Sequence, residues 1–193
     1  MTAPEERRTT RWFTPSNGLT SMRLVAAPVF YWLIVNRFWP AACLLFWLAV
    51  LSDFVDGRLA RSRGESSAFG GLLDHSSDAI FVSLGQIALV SAGQLPPVLP
   101  LLVVAAFLQY VFDSRILAGK QLRASFIGRW NGIFYFVPPG LVVTREWLGL
   151  ANPSDEYVFL LGWALVLSTL ISMIDRLVGV VIATRSRHGG SSH

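Results

Sequence analysis

The chain has 193 residues, of which 53% are apolar and only 15% charged, against about 25% charged in soluble domains. That length leaves no room for a separate soluble catalytic domain beside an apolar bundle. The net charge of +4 and isoelectric point near 9.8 do not mark a nucleic-acid binder, because the basic residues are spread between apolar segments rather than gathered on one face.

Residues 1–16 form a first unit. Pro4 to Phe13 is short and basic and ends in Trp12-Phe13, which predicts an amphipathic juxtamembrane helix lying on an anionic leaflet. Arg7-Arg8 ahead of an apolar stretch has the outline of a targeting signal. No small-residue cleavage site follows Leu24 to Val35, so cleavage is not expected. Thr14-Pro15-Ser16-Asn17 is a turn with helix-start chemistry.

Residues 17–185 carry six apolar segments: Thr20 to Asn36, Pro40 to Arg61, Phe69 to Ala92, Pro97 to Ala118, Ser125 to Thr144, and Tyr157 to Ala183. Each approaches or exceeds the roughly 17–25 residues that cross a bilayer core. The fifth contains Pro138-Pro139-Gly140 and should kink or break there. Ser154 ahead of Asp155-Glu156 is a helix-start signal for the sixth. Cys43, the single cysteine, lies in an apolar run and has no partner for an intrachain disulfide. Residues 186–193 read as a disordered tail. The expected fold is all-α integral membrane, with six transmembrane helices preceded by a short amphipathic juxtamembrane helix.

The basic residues orient these spans. Arg7, Arg8, Arg11, Arg23, Arg58, Arg61, Arg63, Arg115, Lys120, Arg123, Arg129, Arg176, Arg185 and Arg187 fall on one side, and only Arg37 and Arg145 on the other. A bias of fourteen against two among the sixteen Lys and Arg places both termini in the cytoplasm. The expected location is the bacterial cytoplasmic membrane.

Four acidic residues stand out. Asp53 and Asp56 are spaced i, i+3 at the cytoplasmic end of the second segment, and Asp74 and Asp78 i, i+4 at the start of the third. Both spacings put a pair on one helix face. The connection from Ser62 to Ala68 is short and polar, so the two helices should be antiparallel neighbours and the carboxylates should converge. Carboxylates so crowded repel one another unless a cation neutralises them. Oxygen-only donors point to a hard ion, Mg²⁺ or Mn²⁺. Any one aspartate at a helix end reads as a cap or an interfacial acid, but ionisable groups in membrane helices are costly and functional.

The run from Asp53 through Asp56-Gly57, Ala60-Arg61 and Gly70 to Asp74 and Asp78 gives the pattern D-x2-D-G-x2-A-R-x8-G-x3-D-x3-D. It resembles the signature of the CDP-alcohol phosphatidyltransferase family at every fixed position. Eight such residues match by chance about once in 10⁹ starting points. The resemblance covers nearly the whole chain, and it implies a set of roles. Asp53, Asp56, Asp74 and Asp78 would hold two metal ions on the pyrophosphate of CDP-diacylglycerol. Gly57, Ala60 and Arg61 would line the nucleotide site. Asp78 would also be the catalytic base for the acceptor hydroxyl. Asn17-Gly-Leu-Thr20-Ser-Met-Arg23 is similar to a family segment P-N-x-x-T-x-x-R, with Ser16 inserted after Pro15. Asn17 and Thr20 read equally as helix capping or as contacts to the nucleotide phosphates. His75 stands where many relatives have Pro; at i+1 from Asp74 it points off the Asp face and reads as a neighbouring or surface histidine.

Arg115, Lys120, Arg123 and Arg129 cluster around the loop between the fourth and fifth segments. Positive-inside topology alone accounts for basic residues there. Arg115, Arg123 and Arg129 equally suit a phosphate-bearing acceptor, since guanidinium forks match phosphate. Ser125-Phe-Ile-Gly128-Arg129-Trp-Asn131-Gly132 is similar to the S-x-x-G-K-x-K-T stretch of phosphatidylglycerophosphate synthases, and Ser172-Met-Ile-Asp175-Arg176 to a late S-x-x-D-Y, each with departures. Glycerol 3-phosphate is therefore the first acceptor expected and inositol phosphate the second. The resemblance also implies a homodimer. Gly132, Gly140, Gly149 and Gly162 are small enough for helix contacts but do not choose a partner. Two rivals stand beside this reading. A cation transporter would carry its carboxylates near the midplane rather than at one end, and a catalytically silent relative would have less reason to retain every motif position.

Overall fold

The computed structural model describes residues 15–63, 68–116 and 126–188, with side chains at 22–52, 75–113 and 127–180. The described residues form helices α1 (Pro15–Val35), α2 (Trp39–Arg63), α3 (Ala68–Ser91), α4 (Val98–Ile116), α5 (Phe126–Phe134), α6 (Val137–Leu148) and α7 (Asp155–His188), with no strand among them. The expected juxtamembrane helix at Pro4 to Phe13 lies outside the described residues. Helix α1 begins at Pro15, two residues before the expected boundary, since a proline N–H is not needed in a first helical turn. At the other end α7 continues to His188, so residues 186–188 are helical where a tail was expected. No Gly or Pro interrupts the run before Gly189, and helix propagation costs little once nucleated.

The fifth apolar segment is two helices. Pro138 and Pro139 have no N–H to offer Phe134 and Tyr135, the carbonyls four residues back. The chain therefore turns at Tyr135-Phe136, and the prolines sit in the first turn of α6. The Tyr135 carbonyl released by Pro139 accepts instead from Gln86 Nε2 on α3 at 3.1 Å, which satisfies a group that lipid could not.

Helix α3 packs chiefly along α1, with α2, α4 and α6 around them and α7 against α4 and α5. An aromatic cluster joins four elements. Phe30 (α1) stacks on Phe81 (α3) with ring centroids 4.8 Å apart and planes 8° apart, and Phe46 (α2) and Phe136 (ahead of α6) close around them. Phe30, Phe46 and Phe81 are fully or almost fully buried. The core is therefore set by ring shape, as association between apolar helices depends on close packing.

Among the described residues one helix, spanning Asp155–Val180, is long and apolar enough to cross a membrane; its most apolar 18-residue stretch has a mean hydropathy of 2.1 and is 33% buried. The core helix of a soluble protein would be mostly buried, so this burial fits a helix that faces an apolar surrounding. Met22–Val35, Trp39–Ser52 and Val98–Asp113 are shorter apolar stretches. Large apolar side chains such as Leu44, Leu101, Trp163 and Leu167 point outward.

The ends of α6 and α7 are clasped together. Gly149 closes α6 in the left-handed conformation (φ 64°), and the N–H of Leu150 returns to the Arg145 carbonyl at 3.0 Å. Arg145 is buried. It donates to the Pro153 carbonyl at 2.7 Å and to Glu146 and Asp155 at 2.6 Å each. Gln94 donates to the same Asp155 carboxylate at 2.9 Å, adding the α3–α4 connection.

Gly162 of α7 lies against Pro96. A Cβ there would stand 2.4 Å from Pro96 Cδ and 2.9 Å from Leu95 Cδ2, and a proline ring cannot rotate away. Gly162→Ala is expected to destabilise the fold by about 1–3 kcal/mol, the usual cost of overpacking, read as a lowered melting temperature in detergent.

Candidate active site

Asp78 projects from α3 toward α1. Its Oδ1 accepts from Arg23 Nη1 at 2.5 Å, and the same nitrogen reaches Ser77 Oγ at 3.4 Å. Arg23 is buried (5% exposed). A buried guanidinium needs a paired carboxylate, so the close packing of α1 along α3 aligns the pair.

Arg23 and Asp78 open into a cavity of about 810 Å³ enclosed by α1, α2, α3, α4, α5 and α7. Its polar lining includes His75 and Asp78 from α3, Gln109 and Tyr110 from α4, Arg129 from α5, and Ser172 and Arg176 from α7. Val50, Ile133 and Phe136 form the apolar wall. The same three residues border a second groove of about 560 Å³, lined almost wholly by apolar side chains of α2, α5 and α6.

Contacts between helices hold the polar side together. The Arg176 Cζ lies 5.4 Å from the Tyr110 ring centroid, within cation–π range. The His75 ring lies 5.8 Å from the same ring, with planes 34° apart. Gln109 donates to the Met173 carbonyl at 3.0 Å, tying α4 to α7. Deeper in the bundle Tyr135 shares a hydrogen bond with Thr169 at 2.8 Å, and Ser168 donates to Asn131 at 2.7 Å. No described carboxylate lies within 4.0 Å of a side-chain nitrogen of Arg129 or Arg176. Among the described residues the cavity thus presents one carboxylate together with two guanidinium groups not neutralised by ion pairs.

Of the residues expected to carry function, Asp78 and Arg129 are brought into this cavity. Asn17 and Thr20 lie in α1, Asp53, Asp56, Gly57, Ala60 and Arg61 in α2, Asp74 in α3 and Arg115 in α4, while their side chains lie outside the described residues, as do Lys120 and Arg123 altogether. Among the described residues no group of three or more His, Cys, Asp or Glu could hold a metal. Three residues at the cavity were underweighted in the sequence. Arg23 and Arg176 each close a motif-like segment but also serve the topology count, and Tyr110 carries no local signal at all. His75 is exposed, as expected of a surface histidine, and also borders the cavity, where its ring meets Tyr110 of α4.

The family model described as CDP-alcohol phosphatidyltransferase matches residues 13–174, and this range includes all of the cavity's lining except Arg176. The chain belongs to the CDP-alcohol phosphatidyltransferase family. Among curated relatives, a chloroplastic CDP-diacylglycerol–glycerol-3-phosphate 3-phosphatidyltransferase of Oryza sativa subsp. japonica is 35% identical over 185 residues, covering 85% of this chain and 56% of its own length. The enzyme of that name from Cereibacter sphaeroides is 34% identical over 120 residues, 60% of this chain and 54% of its own. A CMP-forming cardiolipin synthase of Streptomyces coelicolor is 33% identical over 104 residues, 51% of this chain and 48% of its own. The chain therefore spans about half the length of the curated relatives it matches.

Proposed function

We propose that this phosphatidyltransferase-family chain moves the phosphatidyl group of CDP-diacylglycerol onto the hydroxyl of glycerol 3-phosphate and releases CMP. The observation that carries this reading is the cavity in which a carboxylate, Asp78, lies with Arg129 and Arg176. A base and an anion seat are what an alcohol bearing a phosphate requires. The relatives named for glycerol 3-phosphate transfer support the same acceptor.

In this mechanism Asp78 accepts the acceptor hydroxyl proton as its oxygen bonds to the phosphorus bearing diacylglycerol. The bond from that phosphorus to the CMP oxygen breaks, and CMP leaves with the electron pair. Arg129 and Arg176 hold the acceptor's own phosphate. Arg23 holds the Asp78 carboxylate in place before the acceptor arrives. Asp53, Asp56, Asp74 and Asp78 would hold divalent metal, two ions of Mg²⁺ or Mn²⁺; an all-oxygen donor set suits hard cations, and Asp78 already faces a cation in Arg23. Such ions would stabilise charge on the pyrophosphate and the leaving group. Gly57, Ala60 and Arg61, with Asn17 and Thr20, are assigned to the nucleotide, and Arg115 and Arg123 to the rim of the acceptor site.

The finer architecture belongs to the same reading. The predicted spans, with α5 and α6 together as the fifth, cross the bacterial cytoplasmic membrane six times as a homodimer, with the active site facing the cytoplasm. The outward apolar side chains and the fourteen-to-two bias of Lys and Arg support this topology.

A second acceptor class is favoured by a separate observation. CMP-forming cardiolipin synthases also match, and the apolar groove adjoining the cavity suits an acceptor that is itself a lipid. The test is CMP release from CDP-diacylglycerol by purified protein, with glycerol 3-phosphate, inositol phosphate and phosphatidylglycerol offered in turn. Release with glycerol 3-phosphate alone upholds the first reading, and release with phosphatidylglycerol alone replaces it by the second. Turnover is expected to vanish on chelation and to return with Mg²⁺ or Mn²⁺; full activity in EDTA would remove the metal from the mechanism. Ion flux without CMP release would favour a transporter.

A further inference from the structure

We propose that Gly128, Tyr110 and His75 are positioning residues that fix the Arg176 guanidinium in the cavity as a seat for the phosphate of an anionic alcohol, an inference that rests on the transfer reading above. The argument begins at Gly128 on α5. A Cβ built there would stand 2.7 Å from Arg176 Nη2, 3.2 Å from its Nε and 2.9 Å from Ser172 Oγ. The guanidinium and the Ser172 hydroxyl therefore occupy the space that any side chain at 128 would take. Only glycine lets α7 bring these two groups against the backbone of α5.

That notch limits the guanidinium on one side, and Tyr110 supplies a second contact. Its ring centroid lies 5.4 Å from Arg176 Cζ, a geometry in which the ring quadrupole attracts the cation. Tyr110 is in turn packed by the His75 ring at 5.8 Å. Helices α3, α4, α5 and α7 thus each contribute one member of a single stack. Asp113, buried one turn beyond Tyr110 on α4, is close enough to feel the Arg176 charge, but it is not within the 4.0 Å of an ion pair. The arginine is held by shape and by a ring face rather than by a carboxylate, so its charge stays available to an anion. A flexible arginine would have to be ordered by the ligand on each binding event, and a preorganised one avoids that entropy cost.

The experiment measures binding of inorganic phosphate to the purified full chain in detergent by calorimetry, alongside KM for glycerol 3-phosphate and for CDP-diacylglycerol. Gly128→Ala adds one methyl group against the movable end of a long side chain, so its melting temperature should stay near wild type while the guanidinium shifts. Phosphate affinity should fall about tenfold in Gly128→Ala, Tyr110→Ala and Arg176→Gln, the scale of one desolvated cation contact. Tyr110→Phe should bind as wild type, since it retains the ring face, and His75→Ala should lose about threefold, as one ring contact is worth less. The KM for the acceptor should rise in parallel while that for CDP-diacylglycerol stays put, a split that general loosening of the fold would not give. Unchanged phosphate binding in Gly128→Ala and Tyr110→Ala, or a wild type that binds none, would overturn the proposal. If phosphate binding follows the expected series but CDP-diacylglycerol and glycerol 3-phosphate yield no CMP, the anion seat stands and the transfer reading falls.

Discussion

Asp78→Asn is expected to lower CMP release by about 10²–10⁴-fold, the range a positioned general base contributes. The substitution keeps the shape of the side chain, and its amide oxygen can still accept from Arg23, so α1 and α3 should remain packed. What it removes is the negative charge and the capacity to take the acceptor proton. Among the described residues, the cavity lining also holds the His75 imidazole, and that ring rests on Tyr110. Initial rates at saturating CDP-diacylglycerol, with a melting curve to confirm the fold, make the measurement. Turnover within a few-fold of wild type would remove Asp78 from the proton transfer.

The second large effect is expected at Arg23. Its side chain is 4% exposed and that of Asp78 25%, so the pair is dry on the α1 side and open toward the cavity. Removing one partner of a buried ion pair costs about 3–5 kcal/mol. Because water can reach Asp78, Arg23→Ala should fall near 3 kcal/mol, the lower end of that range. Arg23→Lys keeps the charge but not the planar guanidinium whose Nη1 meets both Ser77 and Asp78, and it should recover part of the loss. Thermal unfolding of the three proteins in one detergent decides the matter; an Arg23→Ala protein as stable as wild type would show that the pair does not hold α1 to α3.

Much of the architecture was legible because it is written in local order. Apolar runs of helical length gave the described helices to within about five residues, α5 and α6 as one segment, and Pro138-Pro139 announced the break that separates them. The break falls at Tyr135-Phe136 rather than at the prolines, since a proline disturbs the carbonyl four residues before it. The carboxylate pattern from Asp53 to Asp78 named the family before any geometry was known.

Charge was where local reading stopped short. Arg23 and Arg145 were counted as markers of membrane topology, yet both are buried. One is paired with Asp78 across α1 and α3, the other with Asp155 across α6 and α7. A count of Lys and Arg along a chain records which side a residue falls on, and it carries nothing about what stands opposite.

The sequence by itself determined the helices, the break in the fifth segment and the chemical family, because hydropathy runs, missing proline N–H groups and short carboxylate spacings act within a few residues. Only the tertiary structure decided that Tyr110, Gly128 and Arg176 meet at one cavity with Asp78. Those residues come from four helices whose relative rotation is fixed by interhelical packing, by rings such as Phe30 on Phe81 and by close approaches such as Gly128 to Arg176. No periodicity within one helix encodes the register between two, and that is why this meeting of side chains had to be seen rather than read.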